Sequence, residues 1–292
     1  MGQTVAFANQ KGGVGKTTTV VNLASYLALA GDRVLVLDLD PQGNATSGLG
    51  VDRNRSESVY DAVIDAVALA DLTIETGVGG LSLVPSSIAL AGAEVELAPI
   101  EQRERRLARL LDPERDRYDY VFIDCPPSLG LLTVNALTAA DATLIPIQCE
   151  YYALEGLTQL LATVNLVRDH LNPRLEVKGA VLTMFDPRTN LGTDVAREVR
   201  THLGGRVYDT VIPRSVRLSE APSHGLPIHQ YAPTSKGAIA YAELAAEIRR
   251  RDGRPGASEE TKLRAVGPGR SSHRKRARPT LAATDAVAGA MA

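Results

Sequence analysis

A doubly wound, mostly parallel α/β sheet is predicted for residues 1–251, on three observations. Short apolar runs recur that are continuous rather than alternating, as in strands buried on both faces. Segments of helical periodicity separate them from one end of this block to the other. The first run, Thr4 to Ala8, passes into a glycine-rich loop, Asn9-Gln-Lys-Gly-Gly-Val-Gly-Lys-Thr-Thr-Thr19, which opens an apolar-periodic helix from Val20 to Ala30.

Strand, glycine loop and helix in that order make a phosphate-binding arrangement. Gly12, Gly13 and Gly15, with Val14 among them, let the backbone turn its N–H groups inward without Cβ obstruction. The following helix points unpaired donors and partial positive charge at the same place. Lys16 is placed to reach the β- and γ-phosphate oxygens and the Thr17 hydroxyl to ligate Mg²⁺. Thr18 completes the nucleotide stretch. The general phosphate-loop pattern is not met in full, because its first glycine falls at Gln10 and a second lysine, Lys11, follows. A glycine-rich phosphate loop gives such a cation a target that an ordinary loop lysine lacks.

The string Lys11-Gly-Gly-Val-Gly-Lys-Thr-Thr18 resembles the deviant phosphate loop of the ParA/MinD ATPases, which include the nitrogenase iron protein. The resemblance implies a single domain of the P-loop NTPase type. It also implies that Lys11 crosses a dimer interface to the partner's nucleotide, so that ATP is sandwiched between two subunits.

The run Arg33 to Asp38 is the next strand. It ends in Asp38-Leu-Asp-Pro-Gln-Gly-Asn44, at the strand end where open α/β sheets bind ligands. An aspartate there is usually a cap or turn former. The string from Asp40 to Thr46 is, however, similar to the switch I segment of ParA proteins, which implies that Asp40 positions the attacking water and senses the γ-phosphate. Residues 56–112 read as amphipathic helices, Ser58 to Ala70 and Glu101 to Leu111, around a strand at Leu81 to Pro85. Arg103, Arg105, Arg106 and Arg109, interleaved with Glu101 and Glu104, read as a solvated, salt-bridged face.

The strand Tyr118 to Asp124 is the second anchor. A carboxylate ending an apolar strand far from the phosphate loop fits the group that holds Mg²⁺ through its water shell, so Thr17, Asp40 and Asp124 form the metal set. Pro126, Pro127 and Gly130 resemble switch II. Cys125 and Cys149 lack the spacing of an iron–sulfur site and read as small buried side chains. A strand from Ala142 to Gln148 leads through Glu150, which resembles the family's glutamate near the ribose, to a helix from Leu157 to Leu171. Tyr151 and Tyr152 read as core aromatics. Strands at Val177 to Met184 and Val207 to Ile212 flank a helix ending at Leu203. The resemblance puts the adenine against Pro213 and Arg214.

Arg188, Arg217 and Lys236 taken singly are ordinary surface charges. The stretch Arg217-Leu-Ser-Glu-Ala-Pro-Ser-His-Gly225 nevertheless closely resembles chromosomal, Soj-like ParA proteins, and the resemblance runs over about residues 2–250. It implies that these three cations bind double-stranded DNA without sequence preference, that the ATP dimer doubles the patch, and that a ParB-like protein stimulates hydrolysis and release. Weak basal ATP hydrolysis is implied as well.

The composition agrees with a globular chain: 44% of its 292 residues are hydrophobic and 23% charged, with a formal net charge of −2. Residues 1–251 carry more acidic than basic side chains and residues 252–292 the reverse, so DNA binding is expected from a local patch or the tail. From Asp252 onward a composition rich in Gly, Pro, Ser, Arg and Ala reads as disordered. Its basic run, Arg270 to Arg278, is either a second DNA-contacting element or a solvated tail. There is no apolar run of about eighteen residues and no leader, and the last residues lack the apolar and basic faces of an interfacial helix. The expected setting is the cytoplasm, on the nucleoid, without a membrane partner. Because the phosphate loop begins almost at Met1, no N-terminal helix-turn-helix and no operator-specific repression are expected. The rival reading is a MinD-like membrane-associated ATPase that positions the division machinery.

Overall fold

The computed structural model describes residues 2–151 and 153–254. Seven strands form one sheet: β1 (Gln3–Phe7), β2 (Val34–Asp38), β3 (Ile74–Glu75), β4 (Leu81–Val84), β5 (Tyr120–Asp124), β6 (Ala142–Gln148) and β7 (Glu176–Thr183), in the order β3-β4-β2-β5-β1-β6-β7. Every pairing is parallel except that of β3 with β4. The central strands alternate their side chains between two cores. Val5, Phe7, Val34, Val36, Tyr120 and Phe122 face the helices Lys16–Leu29 and Lys236–Arg251. Ala6, Leu35, Leu37, Val121, Ile123 and Ile145 face the helices Leu131–Ala139, Ala153–His170 and Asn190–Leu203. Both faces are buried, which is why the strands read as unbroken apolar runs.

Several expected elements take a different form. The segment Val207 to Ile212 is no strand of the sheet; it touches β7 through one isolated bridge, Ala180 with Val207, and a second, Phe185 with Pro213, lies just beyond the ends of both segments. The segment Ser58 to Ala70 forms two helices, Val59–Asp65 and Leu69–Leu72, separated at Ala66, whose φ is 60°. The charged face of residues 101–111 is partly turned inward. Arg106 donates to the carbonyls of Val63 (2.9 Å) and Ile64 (2.6 Å), satisfying the end of the preceding helix. Tyr151 is 75% exposed rather than a core aromatic; Tyr152 lies outside the described residues.

The domain's contacts continue past the composition change at Asp252. Its carboxylate takes Lys178 at 2.5 Å and the Tyr120 hydroxyl at 2.8 Å, while Arg254 stacks on the Tyr120 ring and reaches Asp32. The basic run Arg270 to Arg278 lies outside the described residues. Among those described, no helix is long and apolar enough to cross a membrane.

Candidate functional site

The carboxyl ends of β1, β2 and β5 meet at the middle of the sheet, with Asp38 in register with Asp124 and Asp124 with Phe7. The loop after β1 turns there through Gly13 and Gly15, at φ 74° and 84°. Those values require glycine, and Gly15 hands the chain directly to the Lys16–Leu29 helix. Asn9 sets the loop: its amide donates to the Pro146 carbonyl (2.8 Å) and its Oδ1 accepts from the Lys11 N–H (3.0 Å). Thr183 at the end of β7 donates to the Val14 carbonyl (2.8 Å).

Lys16 is buried. Its Nζ donates to the carbonyls of Asn9 (3.0 Å) and Lys11 (3.1 Å). Burial pushes its pKa down, against the upward pull of Asp124, Cys125 and Asp40. Lys11 lies on the rim and pairs with Glu150 of its own chain at 2.7 Å. Gln148 also bonds Glu150, so these two candidate nucleotide residues are together, but engaged with each other.

The two aspartates at the carboxyl end of β2 divide their work. Asp38 is fully buried, and its Oδ2 accepts the N–H and hydroxyl of Thr46, each at 2.7 Å; burial pushes its pKa up to about 6. Asp38 thus fixes the fold of the segment. Asp40 lines the cavity, with Oδ1 accepting from the Gln42 N–H at 3.0 Å and its carbonyl accepting from Ser86 at 2.7 Å.

Asp124 carries the observation most diagnostic of a cation site. Both its oxygens are buried and neither has a hydrogen bond of ordinary geometry. Burial raises its pKa well above the carboxylate range, the charge of Asp38 adds to that, and the nearby Thr17 hydroxyl opposes it. A buried carboxylate without a partner is costly, and a hydrated divalent cation between Asp124 and Thr17 would relieve it. The donor set therefore fits Mg²⁺. Cys125 is buried beside this carboxylate, which with burial itself pushes the thiol up, so it is no ready metal ligand.

A cavity of about 640 Å³ joins these groups. Gly12, Gly13, Gly15, Lys16, Thr17, Thr18 and Asp40 line it, together with the candidate base contacts Pro213 and Arg214. Thr183, Met184, Leu218 and Tyr241 also line it, and sequence reasoning missed them. Met184 takes φ 49°, uncommon for a side chain of its kind and costly enough to mark a constrained site. Tyr241 shares a hydrogen bond of 3.1 Å with Thr19. Helical periodicity from Lys236 onward makes Tyr241 a core residue and carries no sign that its hydroxyl faces a ligand cavity.

The DNA candidates do not line the cavity themselves but lie on segments whose other residues do. Arg188 follows Met184 by a short loop, Arg217 adjoins Leu218, and Lys236 begins the helix that carries Tyr241. Gly237 lies so close to Leu218 that an added Cβ would come within 2.7 Å of it. The cavity lining and the DNA candidates are therefore carried on the same segments.

Residues 2–177 match the family model described as AAA domain. The chain is 58% identical over 249 residues to the sporulation initiation inhibitor protein Soj of Bacillus subtilis (strain 168), spanning 85% of this chain and 98% of that one. It is 51% identical over 247 residues to the chromosome partitioning protein ParA of Caulobacter vibrioides (strain NA1000 / CB15N), with 84% and 92% covered. Among solved structures, cobyrinic acid a,c-diamide synthase from Mycobacterium smegmatis, with bound ADP and magnesium, superposes with a TM-score of 0.75 at 40% identity, covering 88% of this chain and 99% of that one. The cell division ATPase MinD of Pyrococcus furiosus gives 0.71 at 26% identity, with 86% and 100% covered.

Proposed function

The chain belongs to the Soj/ParA family of chromosome-partitioning ATPases, and from that premise we propose that it is an ATP-dependent DNA-partition switch. In this reading ATP fills the cavity, its phosphates held by the N–H groups of the Gly12–Thr18 stretch and by Lys16. The base rests against Pro213 and Arg214. Thr17 and Asp124 would hold Mg²⁺, which would supply neutralisation of phosphate charge. Asp40 orients the attacking water from its place on the cavity wall. The alignment of partition proteins over most of the chain supports this reading over that of the amide synthase, whose identity is lower.

Two subunits closing over two nucleotides would let Lys11 leave Glu150 for the partner's phosphates, a charge-for-charge exchange at an exposed site that costs little. That dimer doubles the Arg188, Arg217 and Lys236 patch, and affinity for duplex DNA rises steeply with the number of phosphates neutralised. A ParB-like protein would accelerate hydrolysis and return the subunits to a weakly binding state. The protein then acts on the nucleoid in the cytoplasm, as a folded domain through the Arg254 contacts followed by a basic tail.

The single observation that carries the proposal is the shared wall: one cavity holds the phosphate loop, Asp40 and the segments bearing Arg188 and Arg217. The test is binding to random-sequence duplex DNA with ATP, ADP and no nucleotide, over a salt series. Tight binding only with ATP is expected, prolonged in Asp40→Ala and lost in Arg217→Glu. Binding indifferent to nucleotide would overturn the switch. ATP-dependent pelleting with anionic vesicles, without DNA binding, would move the assignment to the MinD-like rival.

A further inference from the structure

Two of the three cations assigned to the DNA face are already engaged within their own chain. Arg188 presents Nε and Nη2 to the carboxylate of Asp186, at 2.8 and 2.6 Å, and its backbone N–H adds a bond of 3.0 Å. That fork is the face a guanidinium offers a phosphate. Arg217 gives Nη1 to Glu220 at 2.8 Å, and the same Glu220 oxygen accepts the Tyr231 hydroxyl at 2.9 Å. Lys236 has no such ion pair among the described residues.

Stability does not account for these pairs. The Arg188 and Arg217 side chains are 88% and 60% exposed, and exposed ion pairs contribute little to folding. Their consequence is electrostatic: each pair presents a neutral unit where the bare arginine would present a positive one. A phosphate arriving there must displace a carboxylate or sit beside it.

We propose that Asp186 and Glu220 are built-in counter-anions of the DNA face, each occupying the guanidinium that a phosphate has to take. A single subunit then holds DNA poorly, and binding is gained where several exchanges are made together. The idea rests on the DNA-binding reading above. The counter-anions stay charged throughout the physiological range: Arg188 pulls the Asp186 carboxyl down to about 2, and Tyr231 with Arg217 holds Glu220 below its usual value. Both pairs also lie on segments that wall the cavity, Met184 preceding Asp186 and Leu218 lying between Arg217 and Glu220.

The experiment compares the full chain with Asp186→Asn, Glu220→Gln and the double variant. Binding to random-sequence duplex is measured over a salt series with ATP and with ADP, and nucleotide affinity in parallel as the check on folding. Both substitutions keep shape and leave the arginines in place. Each variant is expected to bind DNA more tightly than wild type, with a salt dependence steeper by about 0.9 for every guanidinium released. The ADP form gains too, so the margin between ATP and ADP narrows. Unchanged or weaker binding by the variants, beside a wild type that binds with ATP, overturns the counter-anion role and leaves the DNA reading standing. Absence of binding by every protein overturns both.

Discussion

The floor and the rim of the cavity each hold a lysine of the same loop, and they obey different physics. Lys16 on the floor is buried, fixed by the carbonyls of Asn9 and Lys11, and its charge is disfavoured by burial and restored by Asp124 and Asp40. Lys11 on the rim is half-exposed and held by a single carboxylate, Glu150. A buried cation set by backbone carbonyls has one place to go when the fold forms. An exposed cation set by an ion pair can exchange one anion for another at little cost. Fixed chemistry therefore belongs to the floor, and switching belongs to the rim.

Substituting the two lysines breaks the comparison most directly. Lys16→Ala removes a desolvated, charge-assisted contact to phosphate, and ATP affinity in a fluorescent-nucleotide titration should fall by about a hundredfold or more. Lys11→Ala should leave ATP binding by the single subunit near wild type. It should weaken the ATP-dependent dimer by about 2 kcal/mol in sedimentation equilibrium. Equal losses of nucleotide affinity in both variants would erase the distinction between floor and rim.

A buried titrating group beneath the floor helix tests its rigidity by pH. His229 tilts against Tyr26 of that helix at 5.7 Å between ring centroids, and burial pushes its pKa down from 6.5 to about 4. A base whose folded pKa is depressed takes its proton first in the unfolded chain. Stability is thus lost as pH falls from 6.5 toward 4, by about 3 kcal/mol over that window. Urea unfolding at both ends should show the loss, and His229→Phe should flatten that part of the profile. A flat wild-type profile would mean that His229 is not desolvated.

The floor was legible in the sequence because its rules are local. Gly13 and Gly15 must be glycine at their φ values, Lys16 follows them, and Asp38 and Asp124 each end an apolar strand. The rest depends on pairings between distant segments. Nothing in Glu150 announces Lys11 as its partner, and nothing in Ser86 announces a bond to Asp40. The strand expected at Val207 to Ile212 has the right composition. Its Tyr208 and Ile212 donate backbone N–H groups to Ala180 and Leu182, but the contacts stop at isolated bridges. Asp252 and Arg254 have tail-like neighbours in sequence and yet pack on Tyr120, because ion pairing decides there and composition does not.

The smallest effect bears on how floor and rim are joined. Thr183 lies between them: its hydroxyl holds the Val14 carbonyl at 2.8 Å, its methyl packs near Gly15, and the next residue is Met184 in its left-handed conformation. Thr183→Val keeps the shape and removes the donor, leaving a buried carbonyl unpaired at a cost of about 1 kcal/mol, to be read as reduced stability in urea. The loop keeps its glycines and Lys16, so ATP affinity should change by less than about fivefold, a shift smaller than that same free energy. The informative quantity is the ratio of DNA binding with ATP to that with ADP. If it falls while nucleotide affinity holds, the β7 end transmits loop position to the segment carrying Arg188. If it is unchanged, the packing of Leu218 on Gly237 is the connection left between the nucleotide and the DNA face.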